Sequence, residues 1–244
     1  MSNRIFWAGD STVKENTIFS FPQTGIGQVF KLFVKRNVSV MDFAENGRST
    51  KSFIDEGRLN IIEDRIEKGD FLFIQFGHND EKINDPKRYT EPFGSYQENL
   101  KKFIDVAREA GAYPVLITSL YRRLFEDGAD TLLKENHGEY PKAMIELGQR
   151  ENVPVIDLCS ISRDMIENAG REVTKEWFLH VPENKYEAFP NGKEDNSHLQ
   201  YEGAVRFAKV IADELKKMGG IYEELLLRPE DDLEDPSLLI DWEG

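Results

Sequence analysis

The sequence predicts an α/β fold in three layers, α/β/α, built on a five-stranded parallel sheet. Three observations carry this. Short apolar runs rich in β-branched and aromatic residues occur at 5–8, 38–43, 71–76, 115–120 and 153–158. They are nearly continuous rather than alternating, the pattern of strands covered on both faces. Longer segments with helical patterning separate them, and repeated β-α alternation in one chain gives a parallel sheet with helices on both sides.

The elements follow in order. The first run, Ile5-Phe6-Trp7-Ala8, gives way to Gly9-Asp10-Ser11-Thr12. A helix is expected at 27–35, then the second strand, then Asn46-Gly47-Arg48-Ser49. A helix at 52–67 leads to the third strand and to Gly77-His78-Asn79-Asp80. Helices at 96–111, 140–150 and 161–169 flank the fourth and fifth strands. Residues 174–199, rich in Lys, Glu, Asn, Pro and Gly, read as a long irregular stretch, and loops this long in a compact domain are often functional. The last helix, 201–218, sets Ala204, Phe207, Ala208, Ile211 and Leu215 on one face, and Gly219-Gly220 stops it. The arrangement is a flavodoxin-like sandwich over 1–220, with an acidic C-terminal extension at 221–244. That extension mixes acidic runs with leucines at 225–227 and with Leu238-Leu239-Ile240. Packing back on the domain, joining two subunits as a homodimer, and fraying all stay open for it.

Composition narrows the function. With 244 residues, 39% of them hydrophobic, the chain can bury one sizeable core. Its formal net charge is −14 and no stripe of Lys and Arg is visible, so no nucleic-acid partner is expected. No apolar run approaches the ~20 residues that span a bilayer, so no membrane partner is expected either. Met1-Ser2-Asn3-Arg4 passes directly into the first strand, without the apolar region and small-residue cleavage site of a signal peptide. The single cysteine, Cys159, follows Val155-Ile156-Asp157-Leu158 and reads as a buried, inert thiol. These features together point to a reducing, cytoplasmic location. No two histidines share a helix-face spacing and Cys159 has no partner, so no metal is expected. Gly25-x-Gly27 lacks the third glycine and the preceding strand of a dinucleotide loop, and no cofactor is expected.

In a parallel α/β sheet, ligands bind beyond the carboxyl ends of the strands. The three short motifs after strands one to three fall there, and Asp195-Asn196-Ser197-His198 closes the long stretch just before the last helix. The needs of ester cleavage map onto them. A serine hydroxyl is a weak nucleophile that requires an adjacent base, so Ser11 pairs with His198. The imidazole needs an acceptor on its other nitrogen, and Asp195, three residues earlier, can reach it across a single turn. The developing oxyanion needs preorganised donors, which the backbone N–H groups of Ser11 and Gly47 and the side-chain amide of Asn79 can supply.

These blocks resemble the SGNH, or GDSL-like, hydrolases, whose block residues Ser, Gly, Asn and His match Ser11, Gly47, Asn79 and His198. Within that superfamily, Gly9-Asp10-Ser11-Thr12-Val13, Phe76-Gly77-His78-Asn79-Asp80 and Asp195-Asn196-Ser197-His198-Leu199 are most similar to rhamnogalacturonan acetylesterases. The resemblance implies a serine esterase without cofactor that removes acetyl groups from acetylated pectic oligosaccharides. It covers 9–198 and leaves the acidic extension outside. Gly25-Ile26-Gly27-Gln28 stands where relatives often carry Trp between the glycines, a departure expected to bear on substrate preference. Three functions compete: a carbohydrate acetylesterase, with pectin or xylan as backbone; a short-chain esterase or lysophospholipase acting on lipid; and a non-catalytic sugar-binding relative. The polar and aromatic stretch around Lys185, Tyr186 and Lys193 favours sugars.

Neighbouring residues take plainer roles. Asp10 is expected to hold its turn, Asp80 to cap a helix or build a turn, and His78 to be a structural neighbour. Arg48 is open between loop anchoring and substrate contact. His137 and His180 are expected at the surface or in loops. Arg122, Arg123, Lys185 and Lys193 are candidates to offset the acidic field for an anionic substrate.

Overall fold

The computed structural model describes residues 3–134 and 136–228. Its main sheet contains β1 (Arg4–Gly9), β2 (Ser39–Asp42), β3 (Phe71–Gln75), β4 (Tyr113–Ile117) and β5 (Val155–Ile156). The order is β2-β1-β3-β4-β5 and every neighbouring pair is parallel. Strand order reverses direction between β1 and β3, so a crevice opens at their carboxyl ends.

Strand residues alternate between two cores. Ile5, Trp7, Phe71, Phe73, Val115 and Ile117 face one of them. There they meet Phe30 of α1 (Ile26–Phe30), Ile166 of α6 (Leu158–Val173) and Phe207 and Ile211 of α7 (Tyr201–Met218). Phe6, Ala8, Leu72, Ile74 and Leu116 face the other. That side is covered by α2 (Thr50–Asp55), α3 (Arg58–Glu63), α4 (Gln97–Glu109) and α5 (Tyr140–Glu151). Burial of each large side chain contributes roughly 1.5–3 kcal/mol. Two-sided burial is what the continuous apolar runs encode. Trp7 meets Phe30 and Phe73 edge-on, each at 5.2 Å between ring centres.

Several boundaries differ from expectation for local reasons. The helix expected at 52–67 is two helices, because Gly57 turns left-handed at φ 71°. The strand expected at 115–120 ends at Ile117; the Thr118 amide still donates to Ile156 O at 3.0 Å, while its hydroxyl turns to Asp157 at 3.1 Å. The strand expected at 153–158 shrinks to two residues. Asp157 caps α6 by accepting from the Ser160 amide at 3.2 Å, so the chain is already helical at Leu158.

The larger correction concerns 174–199. This stretch holds an antiparallel pair, β6 (Phe178–Val181) and β7 (Lys193–Leu199). Six polar residues precede Leu199 in β7, so no apolar period announced the strand.

After α7, a short α8 (Gly220–Glu223) leads to Leu225 and Leu226, both buried in the core that holds Trp7. The Lys35 amide donates to Leu225 O at 2.9 Å and the Leu227 amide to Phe33 O at 3.0 Å. Residues 225–227 thus pack back on the domain. Leu238-Leu239-Ile240 and any subunit contact through them lie outside the described residues. No described helix is long and apolar enough to cross a membrane. Cys159 is buried, and burial pushes its thiol up to about 12.

Candidate active site

Ser11 sits in the turn that closes β1, and Asp10 builds that turn. Asp10 Oδ1 accepts from the Thr12 amide at 2.9 Å and from the Thr12 hydroxyl at 2.8 Å. The amides of Val13 and Lys14 both donate to Asp10 O at 3.1 Å. Burial opposes the charge of Asp10, but His78, 3.4 Å away, and the Thr12 donors hold its carboxyl below the ordinary range. The turn rests against residues 25–28. A Cβ at Gly25 would stand 2.1 Å from Lys14 O, so glycine alone permits this approach. Ile26, between the two glycines, is fully buried in the core.

The pairing of β6 and β7 places Asp195 and His198. Leu179 pairs with Asp195 and Phe178 with Leu199, so residues 196–198 bulge out between two consecutive partners. Such a bulge re-aims side chains. Asp195 Oδ1 accepts from the amides of Ser197 at 2.8 Å and His198 at 2.9 Å, which fixes the bulge. Asp195 Oδ2 lies 2.8 Å from His198 Nδ1, and His198 Nε2 lies 2.9 Å from Ser11 Oγ. Burial opposes the charge of Asp195, yet the imidazole and the two amides hold its carboxyl far below the usual carboxylate range. The bulge is tied to the body through Asn196. Its carbonyl accepts from the Arg123 amide at 2.8 Å, and its side-chain oxygen accepts from Arg123 Nη1 at 2.9 Å and His180 Nε2 at 2.8 Å. Arg123 is therefore a buried anchor and does not face the cleft as expected.

Asn79 lines the same cleft as Ser11, while Gly47 lines a second cleft with Arg48 and Arg88. Gly47 takes a φ of 74° in the turn after β2. Asn79 is buried; its Nδ2 donates to Arg48 O at 3.1 Å and its Oδ1 accepts from Arg88 Nη1 at 3.4 Å. A carbonyl on one side and a guanidinium on the other fix which way the amide points. Among the described residues, the amides of Ser11 and Gly47 have no protein acceptor. Arg48 settles as a loop anchor, with Nε on Glu56 at 2.9 Å and Nη1 on Asn46 O at 2.7 Å.

Other expectations divide. Asp80, in the turn after β3, reaches the start of α2: its carboxyl accepts from the Thr50 amide at 3.0 Å and from the hydroxyls of Thr50 at 2.5 Å and Thr90 at 3.0 Å. Burial pushes that carboxyl up to about 7. His137 lies in a loop, as expected, but is buried there, whereas His180 is half-buried on β6 rather than in a loop. His137 Nδ1 meets Glu81 at 3.1 Å, its Nε2 meets Leu120 O at 2.9 Å, and its ring packs edge-on against His78. Lys185 lies over the Tyr186 ring, and Lys193 Nζ stands 4.0 Å from Asp195. Of the four cations proposed to offset the acidic field, Arg122 lines the cleft of Ser11 and His198. Lys82 lines it too, and sequence reading passed it over. The available signal was position, since Lys82 follows Asn79 by three residues in the same turn and its amide donates to Asn79 O at 3.3 Å.

The model of the GDSL-like Lipase/Acylhydrolase family matches residues 8–188. The chain belongs to that family. This GDSL-like hydrolase is a carboxylic ester hydrolase with the α/β fold of the SGNH group. The hydrolase is 41% identical over 216 residues to the rhamnogalacturonan acetylesterase RhgT of Bacillus subtilis, covering 88% of this chain and 90% of the relative. It is 38% identical over 228 residues to the probable rhamnogalacturonan acetylesterase YesY of the same organism, covering 93% and 99%. The crystal structure of protein YxiM from Bacillus subtilis superposes with a TM-score of 0.76 at 24% identity. That match covers 90% of this hydrolase but 57% of the YxiM chain. The matched family segment holds Ser11, Gly47 and Asn79, while Asp195 and His198 lie beyond its end.

Proposed function

We propose that this chain is a serine acetylesterase acting on acetylated pectic oligosaccharides of the rhamnogalacturonan type. The observation that carries the chemistry is the continuous Ser11–His198–Asp195 hydrogen-bond chain, at 2.9 and 2.8 Å, beside Asn79. Similarity to two relatives named for rhamnogalacturonan supports the substrate class.

In this reading Ser11 Oγ bonds to the acetyl carbonyl carbon as its proton passes to His198 Nε2. The carbonyl oxygen takes up the electron pair and meets the amides of Ser11 and Gly47 and the second N–H of Asn79 Nδ2. Collapse breaks the bond to the sugar oxygen, which leaves with the proton from His198. Water repeats the sequence and releases acetate. Asp195 holds the imidazole tautomer and faces the imidazolium that forms. The cleft is small, about 230 Å³, with Thr12, Asn79 and Ser197 among its lining residues, which suits an acetyl group better than a long acyl chain. The buried lone cysteine fits a reducing cytoplasm, where the substrate would be short soluble fragments.

The test is kcat/KM for acetate release from acetylated rhamnogalacturonan oligosaccharides, from acetylated xylo-oligosaccharides, and from para-nitrophenyl esters of two to eight carbons. The rhamnogalacturonan fragments are expected to be best. Best activity on xylo-oligosaccharides moves the substrate to xylan, and best activity on the eight-carbon ester removes the carbohydrate reading. For the oxyanion donors, Asn79→Ala is expected to lower kcat by on the order of 10²–10³ with KM nearly unchanged. A variant that raised KM alone would make Asn79 a binding residue.

A further inference from the structure

We infer that Lys82 recognises a substrate carboxylate next to the scissile ester, so that the enzyme selects acetylated uronic-acid fragments in their free-acid form. The inference rests on the pectic reading above and adds to it the residue that reads the anion.

Charge distribution gives the first argument. The chain carries a formal net charge of −14, yet the cleft of Ser11, Asn79 and His198 is lined by Lys82 and Arg122 and by no carboxylate. An anionic substrate approaching an acidic protein needs such a local reversal of sign.

Pairing gives the second. The two carboxylates close to Lys82 are already taken. Glu81 is bound by Arg122 and, at 3.1 Å, by His137, and Asp85 is bound by Arg88 Nε at 2.5 Å. Lys82 itself makes no ion pair among the described residues. Lys82 is exposed; partial desolvation and the neighbouring Arg88 and Arg122 charges lower its pKa, against an opposing pull from Glu81 and Asp85. A carboxylate from the ligand would relieve that repulsion and complete the one cation of this cluster that lacks a partner. Arg88 and Arg122 are held in place by their own acids and act on the ligand through their field.

Geometry gives the third. The Lys82 amide donates to Asn79 O, so one short turn carries both the ammonium and the oxyanion amide. A carboxylate held by Lys82 therefore fixes the sugar ring relative to the donors that meet the acetyl oxygen. Galacturonate supplies a carboxylate on its ring; a xylose backbone supplies none.

The experiment compares acetate release from acetylated rhamnogalacturonan oligosaccharides with free carboxylates and from the same fragments after methyl esterification of those carboxylates. Wild type is expected to favour the free acid by about tenfold in kcat/KM, mostly through KM, and to lose part of that preference in high salt. Lys82→Gln is expected to fall about tenfold on the free acid and to treat the two forms alike. Lys209→Gln, which removes a distant exposed charge of α7, is expected to keep the wild-type preference. A Lys82→Gln enzyme that kept the preference, or that lost equally on both forms, would overturn the inference while leaving the pectic reading intact. A wild type that ignored the carboxylates would do the same. Absence of wild-type activity on every rhamnogalacturonan fragment would instead remove the pectic reading.

Discussion

Ser11→Ala is expected to lose acetate release by on the order of 10⁶-fold in kcat, because nucleophile and base act as one unit. The fold has little to lose with the hydroxyl. Its hydrogen-bond partner is His198, and the turn around it is held by Asp10 through the Thr12 amide and hydroxyl and the amides of Val13 and Lys14. The melting temperature should therefore stay within a degree or two of wild type, as for substitutions away from packed features. The check is acetate release beside a thermal melt on the same preparation. More than a few percent of wild-type activity, with contamination excluded, would end the assignment of Ser11 as nucleophile. Loss of activity together with collapse of the melt would leave the role of the hydroxyl to be measured in Ser11→Cys.

Asp195→Asn is expected to cost on the order of 10⁴-fold in kcat, since the amide can present N–H where the imidazole needs an acceptor and then stabilises the wrong tautomer. A second readout follows from the depressed pKa of Asp195. A carboxyl whose folded pKa lies below its unfolded value adds stability above about pH 4, near the unfolded value, and that stability is lost as pH falls through the folded pKa. The asparagine variant lacks this term. The gap in melting temperature between wild type and variant should be widest above about pH 4 and should narrow in more acidic buffer. A full-rate Asp195→Asn enzyme would remove Asp195 from the relay, and a gap independent of pH would contradict its ionised state in the fold.

The sheet was readable because Ile5-Phe6-Trp7-Ala8 and Phe71-Leu72-Phe73-Ile74 are apolar on both faces, and the two cores they serve leave no room for polar residues. The residues around Ser11 were readable for a different reason: Gly9-Asp10-Ser11-Thr12 and Gly77-His78-Asn79-Asp80 are short, local blocks at strand ends, and Asp195-Asn196-Ser197-His198 is a short block inside β7. What stayed hidden depends on distant partners. The strand character of β7 is fixed by β6, and its own polar sequence says nothing of it. The burial of Arg123 is compensated by Asn196, Thr174 and Arg171 O, which no local pattern brings together. His137 is buried because Glu81 and Leu120 O await its ring, 56 and 17 positions away. The pairing state of Lys82 likewise depends on which neighbours claim Glu81 and Asp85.

A hydrogen bond joins Ser11, in the turn after the first strand, to a bulge on the last, 187 positions apart in the chain. A fragment ending inside the 182–192 connection would contain the whole parallel sheet, Ser11, Gly47 and Asn79, yet not the proposed base, His198. The complementary piece would carry the base and its orienting acid but no nucleophile. With the proposed roles of Ser11, His198 and Asp195, hydrolysis is expected to report complete assembly. Cutting that connection would divide the enzyme into two silent halves, whose reunion would be signalled by the return of acetate release.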